Sequence, residues 1–376
     1  MPGFEWIDED EKNAVMAVFD EGGVLFAHGF DGMRKHFHIR EFEQQAQEYF
    51  QVKHCLAVSS GTAAIKVALK SVGVQPGDEV ITQAFNFIAT VEAILDCGAI
   101  PVIANVDLSL NMDVDDLQSL ISEKTKAILP VHMLGVAANM KSILKLATER
   151  GIPVVEDNCE SIGATYNGQS LGTLGQAGAI SFDQGKMLAT GEGGMVLTND
   201  AAVSKYACEY HDHGHESNPD RPRGRDTHSI YGFNYRMTEM QGAVGKVQLS
   251  KLNRMLEANK ERYQALEDAM GGKFLLRTIP EECVPTFDTL ILFEPDEYVR
   301  KAVIDTCIQE GFGTKNLPDA MEWHCTAFWD HALSAEQVAR SQKTRIMLED
   351  AVAIPVWLRK TVNDYQRLGK LLMNLK

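Results

Sequence analysis

Three short stretches carry residues that could bind or react. Ser59-Ser60-Gly61-Thr62 places hydroxyls and a glycine just before the apolar-periodic run Ile65, Ala68, Leu69, Val72. Backbone N–H groups at a helix N-terminus, helped by hydroxyls, make a phosphate site; the same residues also suit an ordinary helix cap. Val154-Val155-Glu156-Asp157 is an apolar run that ends in two carboxylates. Ligands bind at strand ends of open α/β sheets, and an aspartate there either keeps a heterocyclic nitrogen protonated or caps the next turn. Lys186 stands in SFDQGKMLATGEGGMV, between the apolar runs 179–182 and 195–198. Lysine is ordinarily a solvated surface residue, so its own neighbourhood favours the plain reading. The set in order points elsewhere. A phosphate cradle, a partner for a ring nitrogen and an amine able to form a Schiff base are what pyridoxal 5'-phosphate requires.

Such groups need a frame that brings them together. The helical spacing at 62–72 is followed by PGDEVIT, a turn entering a strand, and then by the short apolar runs IPVIANV and AILPVHM. Met140, Ile143, Leu144 and Ala147 mark another helical face before a strand over Ile152 to Val155. Helices alternating with short buried strands predict an α/β fold built on a mostly parallel, helix-covered sheet. Beyond residue 238 the apolar positions Val244, Val247, Leu252, Met255, Leu256, Tyr263 and Leu266 follow one long helical pattern. A chain of 376 residues also exceeds the roughly 250 to 300 at which single cores stop growing. The expected division is a large domain over 1–240 and a smaller α+β domain over 241–376.

Composition narrows the partners. With 45% hydrophobic and 23% charged residues the chain reads as an ordinary globular protein. A formal charge of −16 argues against nucleic acid and anionic membrane surfaces, which require a basic face. The start, MPGFEWIDEDEKNAV, has no signal-peptide pattern, and no stretch approaches the roughly 20 apolar residues of a membrane span. Seven scattered cysteines without CxxC spacing suit a reducing compartment, so a cytoplasmic location is expected, without disulfides or zinc. His211, His213 and His215 alternate in a loop with no nearby cysteine, which is no structural-zinc pattern; no metal is expected.

The segments EFEQQAQEYFQVKHCLAVSSGTAAI, QAFNFIATVEAILDCGAIPVIANVD, GIPVVEDNCESIGATYNGQSLGTLG, ISFDQGKMLATGEGGMVLTND and YGFNYRMTEMQGAV, within residues 41–244, closely resemble the DegT/DnrJ/EryC1/StrS sugar aminotransferases. These are a branch of the fold-type I pyridoxal-phosphate enzymes. The resemblance implies that Lys186 is the Schiff-base lysine, Asp157 the partner of the pyridine nitrogen, and Phe87 the aromatic stacked on the ring. It implies a phosphate site at Ser60, Gly61, Thr62 and Ser181. It also implies a homodimer in which Asn234 reaches across to the partner's cofactor phosphate. Glu160, near the cofactor's ring oxygen, departs from the glutamine usual in the family; a carboxylate there is either protonated or accepts a hydrogen bond.

The resemblance further implies L-glutamate as amino donor and a keto sugar as acceptor. Two basic stretches, MRKHFHIREF with His36, His38 and Arg40, and 211–229 with His213, His215, Arg221, Arg223 and Arg225, point to an anionic sugar, since arginine holds carboxylate or phosphate bidentately. The plain alternative for the longer stretch is a solvated loop. The resemblance over the whole chain implies 8-oxo-3-deoxy-manno-octulosonate, a lipopolysaccharide sugar precursor, as the acceptor, with a nucleotide-linked keto-deoxy sugar as the alternative. The dehydratase branch of the family, which carries histidine at the lysine position, is disfavoured by Lys186.

Overall fold

The computed structural model describes residues 3–375. Its central sheet is built from β1 (His54–Val58), β2 (Glu79–Gln83), β3 (Ile100–Ala104), β4 (Thr125–Ile128), β5 (Val155–Asp157), β6 (Ala177–Ser181) and β7 (Gly194–Thr198). The spatial order is β3-β2-β4-β5-β6-β7-β1, with β4 and β5 joined by the parallel bridges Ile128↔Val154 and Val131↔Asp157. Pairings β2–β3, β2–β4 and β5–β6 are parallel, whereas β7 runs against both β6 and β1. The sheet is therefore mostly parallel, as the alternation of elements predicted.

Both faces are covered, so β6 and β7 are buried along their whole length. Alternation decides which side chain goes where. Ala179 and Val196 pack beneath the helix Gly61–Ser71 with Ala64, Val67 and Ala68. Ile180, Met195 and Leu197 face the other way, onto Phe42, Ala46, Leu249 and Leu252. At one edge the ends of β1 and β6 meet the start of β7, through the pairs Val58↔Gly194 and Ser181↔Gly194. Gly194 is needed there: a Cβ would lie 2.3 Å from the Ser60 carbonyl oxygen and 2.9 Å from the Gly61 nitrogen.

The strand expected over Ile152 to Val155 is shifted to β5, Val155–Asp157. Ile152 N–H instead closes the preceding helix onto Ala147, and Pro153 has no N–H to give a ladder. The shift sets the direction of the two carboxylates. Asp157 faces the site, and Glu156 points to the opposite side of the strand. There the fully buried Glu156 accepts from the amides of Gly172 (3.0 Å), Leu174 (2.7 Å) and Gly175 (2.7 Å). It also meets His132 Nε2 at 3.0 Å. Because His132 Nδ1 accepts from the Ala138 amide, Nε2 carries the hydrogen and donates to Glu156. Glu156→Ala strands these donors in the core at about 1–3 kcal/mol each, so a urea melt should show a loss of about 3 kcal/mol or more; a loss below about 1 kcal/mol would remove this account.

The helix Glu239–Met270, 32 residues long, runs out of this body into a second core. Near its start Gly245 admits the Phe42 ring, whose atoms come within 2.7 Å of where a Cβ would sit. Near its end Leu266 and Met270 join Leu290, Val352, Tyr365 and Leu368. That core lies on the antiparallel sheet of Leu275–Leu276, Thr289–Phe293 and Ala351–Pro355, covered by Val362–Met373. The division expected at 240 falls at the head of this helix, whose Thr238 and Gln241 form a capping box. Among the described residues no helix is long and apolar enough to cross a membrane.

Candidate active site

At the carboxyl edge of the parallel strands lies a cavity of about 380 Å³, within the range of small-molecule sites, roughly 300–1,000 Å³. Ser60, Gly61, Thr62, Phe87, Asp157, Glu160, Ser181 and Lys186 all line it. They arrive from four strand ends: Ser60, Gly61 and Thr62 follow β1, Phe87 follows β2, Asp157 ends β5 with Glu160 just beyond it, and Ser181 ends β6 with Lys186 beyond it. Ser60 caps the helix Gly61–Ser71, its Oγ accepting from Ala63 N–H at 3.1 Å. Ser60 Oγ therefore serves the helix as a cap, while the first-turn amides of Gly61 and Thr62 have no intrahelical acceptor. Gly61 abuts Ser181, where a Cβ would meet the serine Cβ at 2.6 Å and Oγ at 2.9 Å. The bare backbone and the Ser181 hydroxyl therefore form one small polar cradle at the positive end of a helix, suited to an anion.

Asp157, 2% exposed, is oriented by two donors. Thr90 Oγ1 donates to Oδ2 at 2.8 Å and Cys159 N–H donates to Oδ1 at 3.1 Å. Lys186 Nζ lies 3.3 Å from Glu160 Oε1. Burial pushes the Glu160 carboxyl up, but Lys186, then His324 and Lys315, hold it below the ordinary range. Burial likewise opposes charge on Lys186, but Glu160 and then Cys159 raise it above the ordinary lysine value. Of the two states open to Glu160, the structure therefore favours an ionised carboxylate that accepts from the lysine ammonium. Its second oxygen, Oε2, is buried without a hydrogen-bond partner. Phosphate cradle, apolar wall at Ile65, Ala89 and Val131, exposed Phe87 ring and orphaned carboxylate oxygen all suit a flat, phosphate-bearing, partly polar ring.

A model of the DegT/DnrJ/EryC1/StrS aminotransferase family matches residues 9–372. The chain belongs to that family. GDP-perosamine synthase of Caulobacter vibrioides is 40% identical over 255 residues, 68% of this chain and 65% of that protein. Against the GDP-perosamine synthase of Vibrio cholerae the chain is 34% identical and covers 63% of that protein. The chain thus spans somewhat under two thirds of these curated relatives. A solved aminotransferase from Psychrobacter cryohalolentis superposes with a TM-score of 0.85 at 27% identity, covering 97% of this chain and 96% of that one. The architecture is fold-type I.

Other residues that the sequence singled out lie outside this cavity. Asn234 is bridged to Asp212 on an outer segment. His36 pairs with Glu41 at 2.9 Å, His38 with Glu21 at 3.4 Å, and the Arg40 guanidinium lies 4.3 Å from the centre of the Phe37 ring. Much of the loop 211–229 is neutralised internally. Asp212 takes Arg223, Arg236 and His28, and Asp226 takes His215 at 3.3 Å. His213 borders a separate recess beside Tyr206 and Tyr231. Arg221 is exposed, and Arg225 ends a short 3-10 turn.

Among the lining residues that sequence reasoning missed are Thr90, Cys159, Asn316 and His324. Thr90 carried a signal, since it stands one helical turn beyond Phe87 at the start of Ala89–Asp96. Asn316 and His324 carried none, because they come from a stretch of short turns and a one-turn helix in the C-terminal half that only tertiary packing brings to the sheet edge.

Proposed function

We propose that this protein is a pyridoxal 5'-phosphate-dependent aminotransferase that moves the amino group of L-glutamate to an anionic keto sugar. The observation that carries this is the convergence of Lys186 Nζ, the Asp157 carboxylate and the open Gly61–Thr62 turn on one cavity. Gly61, Thr62 and Ser181 would hold the phosphate, Phe87 would cover one face of the ring, and Asp157 would face its nitrogen. When bound, the cofactor supplies a carbonyl that condenses with amines and a ring that accepts the electron pair left by C–H cleavage.

The remaining work falls to the protein. Lys186 Nζ would hold the cofactor in the resting enzyme and, as a free amine, would move a proton at the substrate's reacting carbon. Glu160, 3.3 Å from that nitrogen, stabilises its ammonium form, so the lysine can retain the proton it has taken. Thr90 and the Cys159 amide fix the direction of Asp157. The chain is read as a cytoplasmic homodimer in which Asn234 of each protomer reaches the other's phosphate cradle.

The acceptor favoured is 8-oxo-3-deoxy-manno-octulosonate, which would yield 8-amino-3,8-dideoxy-manno-octulosonate for lipopolysaccharide. Its support is the overall sequence resemblance and the basic residues His36, His38, Arg40, His213, His215, Arg221, Arg223 and Arg225, reached from a second protomer. The names of the GDP-perosamine synthases favour a second reading, a nucleotide-linked keto-deoxy sugar. Supplied with glutamate and each sugar in turn, the holoenzyme should show a kcat/KM at least about tenfold higher for the octulosonate, a difference of about 1.4 kcal/mol in transition-state binding. Preference for the nucleotide sugar would reverse the assignment.

A further inference from the structure

His324 ends the short helix Met321–His324 and forms part of the cavity wall with Glu160, Lys186 and Phe87. The main chain holds it there from two sides. Its carbonyl accepts from Asn86 N–H at 3.0 Å, and the next residue, Cys325, bridges to Phe85. The imidazole lies 5.4 Å from the Phe87 ring, tilted 46° to it. Its Nδ1 is 2.8 Å from the Ala320 carbonyl oxygen. A carbonyl can only accept, so Nδ1 carries the hydrogen, and in the neutral ring Nε2 is an acceptor. Nε2 has no hydrogen-bond partner among the described residues. Burial holds the ring below the ordinary histidine value against the pull of Glu160, and Lys186 and Lys315 add to the effect; the ring is therefore neutral at neutral pH.

A neutral imidazole that offers only a lone pair discriminates between the two substrates. It gives nothing to a carboxylate, so neither acid group of glutamate gains from it. A sugar hydroxyl, in contrast, can donate to it. The favoured acceptor, 8-oxo-3-deoxy-manno-octulosonate, carries a hydroxyl on C7 beside the reacting C8 carbonyl, and His324 shares a wall with the lysine that would act at that carbonyl. We propose that His324 is a specificity-determining contact for the acceptor, its Nε2 accepting the hydrogen bond of the hydroxyl next to the sugar's carbonyl. This rests on the aminotransferase reading and specifies which half-reaction the residue serves.

His324→Phe keeps a ring of similar size without the acceptor, and His324→Gln restores an acceptor. The two half-reactions of each holoenzyme are followed separately through the absorbance of the bound cofactor, first with glutamate and then with the keto sugar. In His324→Phe the glutamate half should stay within about twofold of wild type while KM for the sugar rises roughly tenfold, and His324→Gln should recover most of that loss. A sugar KM unchanged in His324→Phe, or an equal fall in both halves, would overturn the proposal. A wild-type holoenzyme inert toward glutamate would instead overturn the aminotransferase reading. The contact is then read without turnover, from the melting shift that 8-amino-3,8-dideoxy-manno-octulosonate gives to wild type: loss of that shift in His324→Phe supports the contact, and its persistence refutes it.

Discussion

Lys186→Ala is expected to abolish amino transfer, with kcat falling by more than about 10³-fold, because one amine serves as both cofactor anchor and proton carrier. The holoenzyme absorbance band of the lysine-bound cofactor should vanish as well. The folded state should survive, since Lys186 sits on the cavity wall rather than in a packed core. One side effect is predictable. Lys186 leads the groups holding the buried Glu160 below the ordinary carboxyl range. Without the lysine, burial is less strongly opposed and Glu160 takes up a proton more readily. That shift has a stability sign. A carboxyl whose folded value is depressed stabilises the protein above its unfolded value and loses that contribution as pH falls through the folded one. Lys186→Ala should therefore flatten the acid side of the wild-type stability profile, as well as remove turnover. Circular dichroism at neutral pH separates loss of fold from loss of chemistry, and an alanine variant that still turned over at the wild-type rate would end the mechanism.

Asp157→Asn is the second large effect. The amide preserves the shape of the side chain, and its oxygen can still accept from Cys159 N–H, which meets Oδ1 at 3.1 Å in the native site. What disappears is the negative charge at the strand end. Preorganised charges in a site that excludes water are worth roughly 10²–10³ in rate, and kcat/KM should fall by about that factor with cofactor occupancy retained. Thr90→Val keeps the carboxylate but removes the 2.8 Å donor, and should give a milder loss. If Asp157→Asn worked within a few-fold of wild type, the carboxylate would not be the partner of the ring nitrogen.

The parts of the site that could be read in advance are those tied to periodic elements. Ser60-Gly61-Thr62 announces itself by preceding an apolar helix, Asp157 by ending an apolar strand, and Lys186 by lying between two such strands. Each signal is ambiguous alone. Ser60 caps the helix while the neighbouring Gly61 and Thr62 border the cavity, which explains why composition at that turn could not separate the two readings. Glu156 and Asp157 are adjacent carboxylates of equal promise in the sequence. The one-residue alternation of a strand sends one to the cavity and the other to three backbone amides and His132, and only the register of β5 shows which.

The basic loops mark the opposite case. Arg223 and His215 have the chemistry of anion binding, yet within one protomer their nearest anions are Asp212 and Asp226. Residue type determines what a side chain can hold, whereas packing determines what is near enough to be held.

By itself, then, the sequence determined the class of fold, the alternation of its helices and strands, and three groups that come to line one cavity, because each of these follows from local periodicity and from residues adjacent to it. Tertiary structure alone decided the ionic state of Glu160, the direction of Asp157 and the arrival of His324 beside Phe87. Those depend on burial, register and long-range closure, properties that exist only once distant segments share one low-dielectric cavity.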